Sequence, residues 1–121
     1  MIHRILVIDD EPGVRDALVD LLTAFGHHAE SAGNGNEALS LLTERSYALI
    51  LTDLRMPEMD GEVLYQKVAQ MWPHLASRVA FVTGEMPFPT FALHVDVGKV
   101  PILRRPFTLG GLRQLVDRML A

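Results

Sequence analysis

Three observations predict an α/β fold, an open parallel sheet with helices on both faces. Apolar runs at residues 5–8, 48–52, 79–82 and 100–103 are continuous rather than alternating, as strands buried on both faces require. Segments with apolar residues at helical spacing separate them. Together they read as five repeats of strand then helix, a pattern that gives a parallel sheet whose crossovers are right-handed. Residues 1–121 form one domain on length, with enough chain for a single core.

The elements follow in order. Arg4 to Asp9 is the first strand. Pro12 suits the first turn of a helix, and Val14, Leu18, Leu21, Leu22 and Phe25 mark its buried stripe. Gly26 ends it as a C-terminal cap. His28 to Ala32 is half polar, so it belongs at a sheet edge. Gly33-Asn34-Gly35 turns the chain into a helix over Asn36 to Glu44, with Ala38, Leu41 and Leu42 inward. Ala48 to Thr52 is apolar until its last residue and is expected at the sheet centre. A loop after Asp53 closes at Gly61, a helix runs from Glu62 to Trp72, and Pro73 stops it. Arg78 to Thr83 is the fourth strand. Pro87 and Pro89 bar a regular helix start, and Thr90 is expected to cap a short helix to Val97. Val100 to Arg104 contains Pro101 and reads as an edge strand. Thr108 caps the final helix, with Leu112, Leu115, Val116, Met119 and Leu120 along its apolar face.

Composition removes several function classes. A hydrophobic content of 49% is that of a soluble globular chain. The net charge of −4 gives no basic footprint for nucleic acid or an anionic membrane, and only Arg104-Arg105 forms a local basic pair. The absence of cysteine excludes disulfides, thiolate catalysis and zinc–thiolate sites. No apolar run reaches membrane-spanning length, and Met1-Ile2-His3-Arg4 leads straight into a strand. The cytosol is the expected compartment. The chain closes on its fifth helix, so no output domain is expected. His3, His27, His28, His74 and His94 show no ligand spacing and are expected at the surface.

The chemistry gathers at the strand ends. Asp9-Asp10 ends the first strand, Asp53 the third, Thr83 the fourth and Arg104-Arg105 the fifth. The C-terminal edge of an open α/β sheet is where such folds act. Three neighbouring carboxylates repel one another and raise at least one pKa. A divalent cation offsets that repulsion, and an all-oxygen donor set fits Mg²⁺ or Mn²⁺. Asp10, Asp53 and a backbone carbonyl just past Asp53 can hold the ion. Phosphoryl transfer to a carboxylate needs an exposed nucleophile, a metal and further donors. Asp53 supplies the nucleophile, Thr83 a hydroxyl and Arg105 a guanidinium.

These residues carry a resemblance. Val7-Ile8-Asp9-Asp10-Glu11, Leu51-Thr52-Asp53-Leu54-Arg55-Met56-Pro57, Met59-Asp60-Gly61, Val82-Thr83-Gly84 and Arg105-Pro106-Phe107 stand in the order and spacing of a receiver domain of two-component response regulators. The chain resembles that family over its whole length. The resemblance implies a flavodoxin-like five-stranded sheet of order 2-1-3-4-5 with five helices. It implies Asp53 as phosphoacceptor, supplied by a phosphohistidine on a sensor histidine kinase or phosphotransfer protein. It also implies Mg²⁺ held by Asp10, Asp53 and the Arg55 carbonyl, Asp9 acting through water, and Thr83 on the phosphoryl oxygen. Self-association through the last strand and its flanking helices is a further expectation. The resemblance implies a signalling phosphoacceptor rather than an enzyme turning over an external metabolite.

Two departures qualify the pattern. The family's lysine position is Arg105, a longer, planar and forked cation, which is expected to alter phosphorylation kinetics. The aromatic of the last strand is replaced by Ile102, which removes a ring for Thr83 to couple to. The stretch Val97-Gly98-Lys99-Val100-Pro101 resembles receivers at the C-terminus of hybrid histidine kinases, so the chain is either an excised or a stand-alone receiver. Arg55 and Glu85 either form a salt bridge or stand as two exposed charges, and Phe88, Phe91, Leu93 and Val95 are read as core or lid, with a partner-docking surface near the last strand as the alternative.

Two other readings stand beside this one. A phosphorylation-independent interaction module with the same fold is motivated by Arg105 and Ile102. Gly33-Asn34-Gly35-Asn36-Glu37-Ala38 also fits a dinucleotide-binding fingerprint, with Asp53 about 20 residues on. Its preceding strand is an edge strand, where that fingerprint requires a buried central one.

Overall fold

The structure is a computed structural model and describes residues 2–84 and 100–121. Five parallel strands lie in the order β2-β1-β3-β4-β5. They are β1 (Arg4–Ile8), β2 (His28–Ala32), β3 (Leu49–Thr52), β4 (Val79–Thr83) and β5 (Ile102–Arg104). The helices are α1 (Pro12–Ala24), α2 (Gly35–Glu44), α3 (Gly61–Met71) and α4 (Leu109–Leu120), with a 3₁₀ turn at Pro73–Arg78. The flavodoxin-like order and the central place of β3 agree with expectation. The expected helix from Thr90 to Val97, together with Glu85, Phe88, Phe91, Leu93 and Val95, lies outside the described residues.

Side-chain alternation divides the core into two layers. Ile5, Val7, Leu49, Leu51, Ala80 and Val82 point to one face, against Leu18 and Leu22 of α1 and Leu112, Leu115 and Val116 of α4. Leu6, Ile8, Ile50 and Val79 point to the other, against Ala38 and Leu42 of α2 and Leu64 and Val68 of α3. The unbroken apolar runs arise because both faces of the sheet are covered.

Local chemistry sets the boundaries. Glycine at 26 takes φ 96°. Its N–H donates to the Thr23 carbonyl at 3.0 Å and that of His27 to the Leu22 carbonyl at 3.1 Å, a Schellman closure of α1. Asn34 caps α2 by accepting from the Glu37 amide at 2.8 Å, and Thr108 caps α4 by accepting from the Gly111 amide at 2.9 Å.

Several bounds differ from the sequence reading: α2 begins at Gly35, β3 at Leu49 and β4 at Val79, each one residue from expectation. β1 stops at Ile8, although the Asp9 amide still reaches the Ala32 carbonyl at 3.2 Å. Helix α3 starts at Gly61 and ends at Met71, leaving Trp72 as its C-cap. Pro73 opens a 3₁₀ turn at once, because its fixed φ suits a first turn. β5 begins at Ile102, since Pro101 has no N–H to donate; its carbonyl accepts from Phe81 at 2.9 Å.

Candidate functional site

The register sets the site. Ile8 pairs with Thr52, so the chains leaving β1 and β3 release Asp9 and Asp53 side by side. Thr83 pairs with Arg104, so β5 delivers Arg105 to the same edge. The structure brings Asp9, Asp10 and Asp53 together, with one carboxylate oxygen from each lying within 4.8 Å of the others. Asp9 is 1% exposed and Asp53 4%; Asp10 is the most open of the three. Thr83 is placed by its backbone as the last residue of β4.

Backbone donors orient two of the acids. Asp9 Oδ1 accepts from the Glu11 amide at 2.9 Å. Asp53 Oδ1 accepts from the Leu54 amide at 2.8 Å and lies 3.5 Å from the Arg55 amide. The second oxygens turn toward a cation: Arg105 Nη2 is 3.5 Å from Asp53 Oδ2, and Nη1 is 3.9 Å from Asp9 Oδ2. The Arg105–Pro106 peptide is cis.

Burial pushes the Asp9 carboxyl above its ordinary pKa. The negative charges of Asp53 and Asp10 add to that rise, while the Glu11 amide and Arg105 oppose it without cancelling it. The repulsion expected of three acids at one edge is thus present, but burial is the larger cause of the rise. Oxygen donors that close together, one of them held reluctantly ionised, fit a small hard divalent cation.

Glycine at 61 holds the loop beneath the site. A Cβ there would overlap the Asp53 carbonyl oxygen, and the Gly61 amide donates to Leu54 O at 2.8 Å. The left-handed turn that precedes it is at Glu58, φ 69°. Ile102 packs with Phe81, Val100 and Leu54 rather than standing free as a rotating group. One contributor escaped the sequence reading: Arg15 Nη1 donates to the Asp9 carbonyl at 2.9 Å, tying α1 to the strand end.

The glycines of the fingerprint at 33–38 do not form an open cradle. A Cβ on Gly33 would press on Arg15 and one on Gly35 on Met59. Both are there for internal close packing, and the strand before them, β2, is the sheet edge.

Residues 5–117 match the family model described as the response regulator receiver domain. The chain belongs to that family. Response regulator receiver protein CpdR of Brucella abortus is 35% identical over 120 residues, covering 97% of this chain and 96% of the relative. Sensor histidine kinase RcsC of Salmonella typhi is 34% identical over 110 residues; the match covers 91% of this receiver but 11% of that kinase. A response regulator receiver domain protein from Clostridium thermocellum superposes with a TM-score of 0.85 at 28% identity, covering 98% of this chain and 94% of that one. Receivers similar to this one thus occur both as a protein of the same length and as part of a much longer kinase. No helix among the described residues is long and apolar enough to cross a membrane.

Proposed function

We propose that Asp53 accepts a phosphoryl group from a phosphohistidine of a sensor histidine kinase or phosphotransfer protein, in a Mg²⁺-dependent step. The observation that carries this is the asymmetry of the Asp53 carboxylate. Oδ1 is held by the Leu54 amide, while Oδ2 has no backbone donor among the described residues and faces Arg105. Oδ2 is the nucleophile. It forms the new O–P bond as the P–N bond to the donor imidazole breaks, and the imidazole keeps the electron pair and takes up a proton. The Leu54 amide fixes the carboxylate plane, so attack needs little reorientation. Arg105 neutralises charge on the phosphoryl oxygens, with Thr83 as a further donor at the end of β4. Asp10, Asp53 and the Arg55 carbonyl would hold the Mg²⁺, with Asp9 acting through water. When bound, the ion would neutralise the equatorial phosphoryl charge.

An apolar hollow of about 680 Å³ opens beside Arg105, lined among others by Gly13, Val14, Ala17, Leu18 and Phe107. It gives a phosphodonor a surface to rest on beside Arg105. The work is done in the cytosol, as signalling rather than turnover of a metabolite.

Incubation with Mg²⁺ and acetyl phosphate, followed by intact-mass measurement, tests this. A single phosphate adduct is expected, and Asp53→Asn is expected to lose it. No adduct, or one that survives the substitution, would refute the assignment. The second reading, an interaction module that works without phosphate, is favoured by the way Arg105 already engages two of the acids. It predicts no adduct and partner binding unchanged in Asp53→Asn.

A further inference from the structure

Arg105 is tied to the acidic site in a way a lysine could not reproduce. One guanidinium reaches two carboxylates on different strands, Asp53 through Nη2 and Asp9 through Nη1. The oxygens it faces are the two Oδ2 atoms. Each partner Oδ1 is already occupied by a backbone amide, from Glu11 at 2.9 Å and from Leu54 at 2.8 Å. Among the described residues, the oxygens left without a backbone donor are therefore the ones Arg105 uses. The head group is enclosed as well: the Arg105 side chain is 23% exposed, and its Nε is buried with no hydrogen-bond partner among the described residues. Both facing acids are almost fully buried, so water screens these charges poorly.

We propose that Arg105 is a built-in counterion of the acidic pocket, competing with the divalent cation for Asp9 and Asp53 and so setting how tightly this receiver holds Mg²⁺. The inference rests on the phosphoacceptor reading of the same site. Metal and guanidinium both draw on Asp53, and Asp9, which would meet the ion through water, is held by the same fork. Bringing in the ion therefore requires the fork to withdraw from at least one acid. A lysine would keep the charge, but its single ammonium is a point contact and does not span two carboxylates with separate nitrogens. The consequence is twofold. The metal-free domain is stabilised by its own cation, and Mg²⁺ binding is weaker than the three acids alone would give.

The test is Mg²⁺ alone, titrated by calorimetry into the parent chain, Arg105→Lys and Arg105→Gln, with thermal unfolding of each in chelator. Arg105→Lys isolates the fork because the charge is retained. It is expected to bind Mg²⁺ about fivefold tighter than the parent, the equivalent of one partly screened ion pair released, and to unfold at a lower temperature without metal. Arg105→Gln is expected to bind tighter still. Equal affinity and equal metal-free melting of the parent and Arg105→Lys would overturn the proposal, as would failure of all three to bind Mg²⁺. Mass measurement of the acetyl phosphate adduct on the parent reads the underlying assignment separately. An adduct with equal affinities sinks the counterion alone, and absence of an adduct at saturating Mg²⁺ with unequal affinities sinks the phosphoacceptor alone.

Discussion

Asp53 and Gly61 depend on one another at the scale of single residues. The loop that leaves Asp53 must return close enough for the Gly61 amide to reach Leu54 O at 2.8 Å, and at that approach a Cβ on residue 61 would overlap the Asp53 carbonyl oxygen. The clash is with backbone, which cannot rotate away. Gly61→Ala is therefore expected to cost about 2 kcal/mol or more, in the range of strained or overpacked sites, and to displace the acceptor loop. Urea unfolding midpoints check this; a loss below about 0.5 kcal/mol would show that the loop yields. The sequence made the Met59-Asp60-Gly61 motif visible, but not why the last residue must be glycine, because the reason is a contact with Asp53, eight positions earlier. The same limit hid Arg15. Its bond to the Asp9 carbonyl joins a helix to a strand end, and no periodicity records it. The acids themselves were legible because their placement follows from strand ends alone.

The edge strand β2 shows how an element unpromising in sequence is held. Its half-polar composition is explained by Glu30, which gathers four partners. Arg4 Nε is 3.4 Å away, His28 Nε2 3.0 Å and Arg45 Nη1 3.1 Å, and the Tyr47 hydroxyl donates to it. These join β1, β2 and the turn before β3. Burial alone would raise the Glu30 pKa, but the bonds from Tyr47, His28 and Arg45 outweigh it and hold the carboxyl below its usual range. Burial and the same carboxylate push the Tyr47 hydroxyl well above the usual phenol range. A depressed carboxyl pKa contributes stability that is present above the unfolded-state value of 4.5 and is lost as pH falls through the folded value. Glu30→Gln is thus expected to destabilise the domain at pH 7 and to leave it less sensitive to acid below about pH 4.5. Tyr47→Phe removes one charge-assisted donor, at a cost of about 1–2 kcal/mol. Denaturant titrations at pH 7 and pH 3 check both; a Glu30→Gln variant that loses as much stability on acidification as the parent would refute the network. Caps behaved differently. Asn34 and Thr108 act within three residues of themselves, and Thr108 was readable from sequence for that reason. The bounds of β5 and α3 shifted by a residue or two because tertiary hydrogen bonds, not propensity, decide where a strand begins.

Across the whole molecule, the sheet order places the two acidic strands, β1 and β3, next to each other and the cationic strand β5 at the far edge. Arg105 must therefore reach past β4 to meet Asp53. Strand order was accessible through the family resemblance, and the alternating faces of the core through apolar runs. The direction of the guanidinium was not, since it depends on the turn at Arg105-Pro106 and on which carboxylate oxygens the backbone leaves open. Because the acids sit on loops fixed by two central strands, binding at that edge is coupled to the stability of the entire domain. An ion that binds the folded chain and not the unfolded one stabilises it by about 2.7 kcal/mol at 100 times its dissociation constant. Mg²⁺ at that excess is expected to raise the parent's unfolding free energy by this amount. Burial lifts the Asp9 pKa most, and the repulsion from Asp53 and Asp10 that adds to it is part of what the ion would relieve. Asp10→Asn removes one of the three oxygen donors while leaving both buried acids in place, so it is expected to keep its metal-free stability within about 0.5 kcal/mol and to lose most of the Mg²⁺ increment. Paired urea titrations with Mg²⁺ and with chelator measure both quantities. An Asp10→Asn chain that gains as much from Mg²⁺ as the parent would remove Asp10 from the metal site and leave Asp9 and Asp53 as its carboxylates.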